Sequence, residues 1–172
     1  MLLDLVNLKK IRKAILYLLC IVLCCWFQTM VLSRLTLLGA KALFLPALTV
    51  AIGLWEGGVW GALLGLVCGA LLDGAYSDVH VLFLLLFAAF GFVSGLLAEF
   101  LINRRFGSYL LLSVLALLVT AFCQIVPLWL FQGTAPGPLL RTAALQCAWS
   151  LPLALPVYPI VRAVAGRARE ES

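Results

Sequence analysis

The stretch LLGAKALFLPALTVAIGLWEGGVWGALLGLVCGALLDGAY, residues 37–76, decides how this chain is organised. It is apolar almost throughout, yet too long for one membrane-crossing helix, which needs about 20 residues with a range of roughly 17–25. Glu56, Gly57 and Gly58 interrupt its middle. Divided there, it yields two spans, 37–55 and 57–76, each near the minimum length. Four further segments meet the length requirement undivided: 14–32, 81–100, 108–130 and 142–164.

Composition agrees that lipid is the solvent. Of 172 residues, 65% are apolar and 11% charged, with a mean hydropathy of +1.18. Soluble domains carry roughly 45–50% apolar and about 25% charged residues, and water would not tolerate so much apolar surface on a chain of this size. Nothing between the apolar runs is long enough to fold separately, so a single membrane domain, 1–172, is expected. The net charge of +5 does not suggest nucleic acid. The cations sit at the ends of apolar runs, where they read as topology signals and contacts to the anionic lipid bilayer. Lys9, Lys10, Arg12 and Lys13 precede the first run as in a secretory signal. That run is a full span, however, and it ends in Leu32-Ser33-Arg34 without a small-residue cleavage site. A retained first helix is expected.

Charge arithmetic favours six spans over five. With six, and the N-terminus inside, the inner side holds nine cations: Lys9, Lys10, Arg12, Lys13, Arg104, Arg105, Arg162, Arg167 and Arg169. The outer side holds three, Arg34, Lys41 and Arg141. Five spans would put five inside and seven outside, against the positive-inside rule. An all-α, multi-pass protein with both termini cytoplasmic follows, Lys41 snorkelling from the second span. Trp55 and Trp60 flank the inner turn at Glu56, and Trp129 ends the fifth span. Tyr17, Tyr109 and Tyr158 lie near inner ends, where amphipathic rings favour the head-group layer.

The most specific pattern is in the third span. Gly57, Gly61, Gly65 and Gly69 recur every four residues, and Asp73 falls at the next step. Residues four apart share a helix face, so this face has no side chains and admits another backbone closely. Gly91 and Gly95 repeat the device in the fourth span. These seven residues are the candidate site, for packing inside the chain or against a partner helix, and a homodimer stays open. Asp73 opens the turn-like Asp73-Gly74-Ala75-Tyr76-Ser77-Asp78, which suits a structural cap as well as a functional contact. Glu56 and Glu99 read as solvated residues at inner boundaries. His80, beside Asp78, reads as a surface residue before a pH sensor.

Cys20, Cys24, Cys25, Cys68, Cys123 and Cys147 all lie in apolar runs without a metal-binding spacing, and read as small buried residues. Pro152, Pro156 and Pro159 lie inside the last span. Each removes a backbone donor, which membrane helices tolerate when neighbours satisfy the freed carbonyls. No Ser/His/Asp set, zinc motif or phosphate-cradling loop occurs. No enzymatic activity and no cofactor are expected.

From Gly57-Gly58-Val59-Trp60-Gly61-Ala62-Leu63-Leu64-Gly65-Leu66-Val67-Cys68-Gly69-Ala70-Leu71-Leu72-Asp73, through a short polar turn, to 81–100 with Gly91 and Gly95, the sequence resembles the rod shape-determining protein family MreD. Pro156-Val157-Tyr158-Pro159-Ile160-Val161-Arg162 is similar to that family's ending. One departure is Asp78-Val79-His80, where the family usually carries a glycine. The resemblance implies a non-enzymatic scaffold of the bacterial inner (plasma) membrane, in the elongation machinery of cell-wall (peptidoglycan) synthesis. It also implies a bitopic MreC-like partner, contacts to the cell-wall synthesis complex, and a fold similar to the substrate-binding subunit of energy-coupling-factor transporters. A vitamin-binding subunit of such a transporter is the rival reading. It would need a pocket of convergent polar groups drawn from Gln124, Gln132, Gln146, Asp73 and Asp78, and 14–32 lacks the small-residue repeat such subunits use for docking.

Overall fold

The computed structural model describes residues 2–32, 34, 36–37, 40–75, 82–100, 106–132 and 136–170. Among the described residues the chain runs through six helices. These are α1 (Leu2–Phe27, continued by a π turn over Gln28–Leu32), α2 (Leu45–Glu56), α3 (Gly58–Ala75), α4 (Leu82–Phe100), α5 (Phe106–Gln132) and α6 (Pro136–Glu170). A two-residue antiparallel pair, Thr36–Leu37 (β1) with Ala40–Lys41 (β2), lies between α1 and α2. Five of the helices are long and apolar enough to cross a membrane.

The second expected span takes a different form. In place of one helix over 37–55, the chain makes the β pair, an irregular stretch at residues 42–44, and then the 12 residues of α2. At 1.5 Å per residue that helix is about 18 Å long, against about 30 Å of hydrocarbon. Its start is set locally, because Pro46 stands in its first turn, where proline's missing N–H costs nothing.

This short helix is the hub of the molecule. Leu45 through Leu54 are all buried, enclosed by α3, α4, α5 and α6, with α1 touching one edge. A helix that is apolar all round suits such a position. The outer helices show the converse pattern: Leu19, Leu23 and Trp26 of α1, Leu63 of α3, Leu85 of α4 and Leu111 and Phe122 of α5 are exposed. Those side chains meet acyl chains, so burying them gains little. Helix association here rests on close packing and on hydrogen bonds.

Candidate functional site

The glycine stripe is used inside the chain. A methyl group on Gly61 would overlap the Gly91 carbonyl and come within 2.8 Å of the Gly53 Cα. One on Gly65 would strike the Phe87 carbonyl, and one on Gly69 would lie 2.5 Å from that of Phe83. From α4, Gly91 meets the Gly61 carbonyl and Gly95 meets the backbone of Gly57 and Gly58. Thus α3 and α4 touch backbone to backbone over their length, as small residues on facing helices allow. Gly53 of α2 joins at the crossing point, against Ser94 and Gly91. The sequence reading missed Gly53, although it lies one four-residue step before Gly57.

Gly57 has a separate duty. With φ 90° and ψ 174° it is the single residue between α2 and α3, a conformation essentially reserved for glycine. Its amide donates to the Gly53 carbonyl at 2.9 Å, and its carbonyl accepts from the Gly61 amide at 2.9 Å. One residue therefore closes the first helix and opens the second.

Asp73 is a cap for the neighbouring helix. Its Oδ1 accepts from the Phe83 amide at 3.2 Å and its Oδ2 from the Leu84 amide at 2.9 Å. Both donors lie in the first turn of α4, where amides lack intrahelical partners and a carboxylate complements the helix dipole. The glycine stripe and the residue that ends it thus act on the same partner, α4.

Glu56 departs from the solvated role expected of it. Its side chain is 5% exposed and ion-paired with Lys13, and it accepts from the Tyr17 hydroxyl at 2.7 Å. Lys13 and Tyr17 of α1 pack over the end of α2 and enclose the carboxylate. Tyr17 and Tyr109 also differ from head-group anchors: each is buried, and Tyr109 donates its hydroxyl to the Ala154 carbonyl at 2.7 Å. Glu99 is exposed, as expected.

A polar clamp that the sequence reading did not find holds the irregular lead-in to α2. Gln28 Nε2 donates to the Ala42 carbonyl at 2.5 Å, and its Oε1 accepts from the Phe44 amide at 3.3 Å. Ser150 Oγ accepts from the Leu43 amide at 2.9 Å and donates to the Gln146 carbonyl at 2.6 Å. Gln146 in turn donates to Gln124 at 3.4 Å. Non-helical backbone at membrane depth is tolerated only where such partners exist. The available signals were an isolated Gln28 in the first span and Ser150 in the last.

The polar residues that a ligand pocket would need are largely engaged elsewhere. Gln124 bonds Gln146, and Asp73 caps α4. Asp78 and His80 lie outside the described residues, as does the side chain of Gln132. All six cysteines are free thiols, Cys25 and Cys68 among them buried. Apolar grooves open on the surface formed by the described residues. One, of about 540 Å³, lies between α1 and α6 and is lined by Leu16, Cys20, Leu23, Pro156 and Ile160 among others. Another, of about 450 Å³, lies between α5 and α6 around Phe122 and Cys147.

Comparison of the chain with protein-family models, with characterised proteins and with solved structures finds no match. The chain is a multi-pass membrane protein by the length and apolarity of its helices.

Proposed function

We propose that this protein is a non-enzymatic membrane scaffold of the MreD type, binding a bitopic MreC-like protein in the bacterial cell-wall elongation machinery. The observation that supports this reading is the unit formed by the residues that carry the resemblance. Gly61, Gly65, Gly69 and Asp73 fix α4 against α3 through backbone contact and a cap. Such a unit is a rigid platform, and the outer surfaces it carries are apolar helix faces suited to other helices. On this reading the six helices follow the arrangement of the substrate-binding subunit of energy-coupling-factor transporters, without its ligand pocket. On the same reading residues 42–44 and α2 together make the second crossing, returning Glu56 to the level of Lys13, so both termini lie on the cytoplasmic side of the inner membrane, and the chain supplies geometry rather than chemistry.

The test is purification of the tagged protein from its native membrane in gentle detergent, with mass spectrometry of what accompanies it. Recovery of a bitopic MreC-like protein with wall-synthesis enzymes is the expected result. Recovery of an ATPase pair with a coupling membrane protein would overturn the reading in favour of a transporter subunit.

A further inference from the structure

Charge is gathered at one end of the two helices α1 and α6. Lys9, Lys10, Arg12 and Lys13 stand at the start of the first, and Arg162, Arg167 and Arg169 at the end of the second. Together they are seven of the 12 cations in the chain, and the acids on the same two stretches are Asp4 and Glu170. Between these ends, residues 14–33 and 142–161 carry no charge at all. Arg12 and Arg162 are exposed. Lys13 is committed to Glu56, its side chain still one-third exposed.

The groove between the same two helices leads to that end. It is lined from Leu16 to Phe27 on α1 and from Val164 to Leu153 on α6, with no charged residue in its walls. Arg12 lies four residues before Leu16, and Arg167 three after Val164. Those spacings keep both positions on the groove-lining side of their helices. The shape selects among occupants. Eleven residues of helix rise about 16 Å, so a volume of about 540 Å³ gives a mean cross-section of about 33 Å². An α-helix with its side chains is about 10–12 Å across and needs more than twice that area. A helix is too broad to sink into the groove, whereas a flexible methylene chain fills it.

We propose that the groove between α1 and α6 is a binding site for one anionic phospholipid, drawn from the leaflet on the side of the two chain termini. An acyl chain lies along the groove, and the phosphate sits at the cation-rich ends of α1 and α6. The apolar walls accept the chain of any phospholipid, so selection comes from charge. A net negative head group is attracted by each basic residue at the membrane surface, and a zwitterionic one is not. The bound lipid fills the gap between the first helix and the last and fastens one to the other. The site does not depend on the scaffold reading, and each can fail without the other.

The test is lipid photocrosslinking of the purified full-length protein in phosphatidylcholine bilayers. A trace of phosphatidylglycerol or of phosphatidylcholine, each with a diazirine on one acyl chain, serves as the probe, and adducts are mapped by tandem mass spectrometry. The expected result is adducts on Leu19, Leu23 and Ile160 in clear excess with the phosphatidylglycerol probe. Exposed Leu63 of α3 and Leu111 of α5 should react equally with both probes. Arg12→Gln should lower the preference about fivefold, the scale of one basic residue's attraction to an anionic surface. Arg141→Gln, at the opposite end of α6, should leave it unchanged. Ile160→Trp, which fills the groove, should remove the groove adducts of both probes. If Arg12→Gln misfolds, raising the salt from 0.1 to 1 M with the unaltered protein should weaken the preference through screening. Equal yields from the two probes in the groove, or a preference unmoved by both Arg12→Gln and salt, would overturn the anionic ligand. Adducts spread evenly over 63, 111 and the groove would overturn the site.

Discussion

Gly61 of α3 and Gly91 of α4 each occupy the space into which the other's side chain would project: a methyl on either would overlap the other's carbonyl. Gly61→Ala should therefore destabilise the protein by about 1–3 kcal/mol, the usual cost of forcing volume into a packed site. Gly65→Leu, against the Phe87 carbonyl, should abolish the fold. Gly74 is also helical but has open space around its Cα, so Gly74→Ala should be neutral or stabilising by about 0.5–1 kcal/mol. Thermal unfolding in detergent checks the contrast. Equal effects at 61 and 74 would refute backbone contact as the cause.

Asp73→Ala removes the acceptor for two amides in the first turn of α4. The expected loss is about 0.5–2 kcal/mol, the range for a deleted helix cap. Asp73→Asn keeps an acceptor oxygen and should lose less. Hydrogen exchange at Phe83 and Leu84 reports the effect locally: both amides should exchange faster in the alanine variant, whatever the global stability.

Lys13 and Glu56 form an ion pair whose carboxylate is buried while its ammonium is one-third exposed. Removing the cation should hurt more than removing the pair, because it leaves Glu56 charged and enclosed, a situation that costs up to about 3–5 kcal/mol in well-buried cases. The order expected is Lys13→Met least stable, and Lys13→Met with Glu56→Gln substantially recovered. A double-mutant cycle on melting temperature decides it, and simple additivity would rule out the coupling.

Gln28 satisfies one backbone carbonyl and one backbone amide of the lead-in to α2, and Ser150 satisfies one amide. Gln28→Leu strands both groups and should cost about 2–6 kcal/mol, at 1–3 for each buried unsatisfied group. Ser150→Ala should cost about 1–3 kcal/mol on the same scale. Limited proteolysis is the direct assay: cleavage near residues 40–45 should rise in both variants, and more in the first.

Much of the architecture was legible because helix periodicity in lipid is a coarse, strong signal. The expected limits 57–76 and 81–100 lie within a residue of α3 and α4, since Glu56-Gly57-Gly58 and the polar turn after Asp73 leave no other break. The packing face could be read from its four-residue repeat. The short α2 could not. Hydropathy counts apolar residues without regard to backbone form, and 42–44 are apolar while not helical. What permits that form is a pair of donors and acceptors far away in sequence, each resembling an incidental polar residue in its own span. Tyr17 and Glu56 were misread for a related reason: a position near a helix end does not reveal whether another helix covers it.

The clamp on α2 also fixes an order of biogenesis. Gln28 precedes the segment it holds, so α1 can secure Ala42 and Phe44 as soon as they emerge. The acceptor for the Leu43 amide is Ser150, 107 residues later, which exists only when α6 has been synthesised. The hub helix is therefore half-fastened during most of translation and locked by the last helix to arrive. Nascent chains arrested before Ser150 should remain open to protease at 40–45, and chains released after α6 should not.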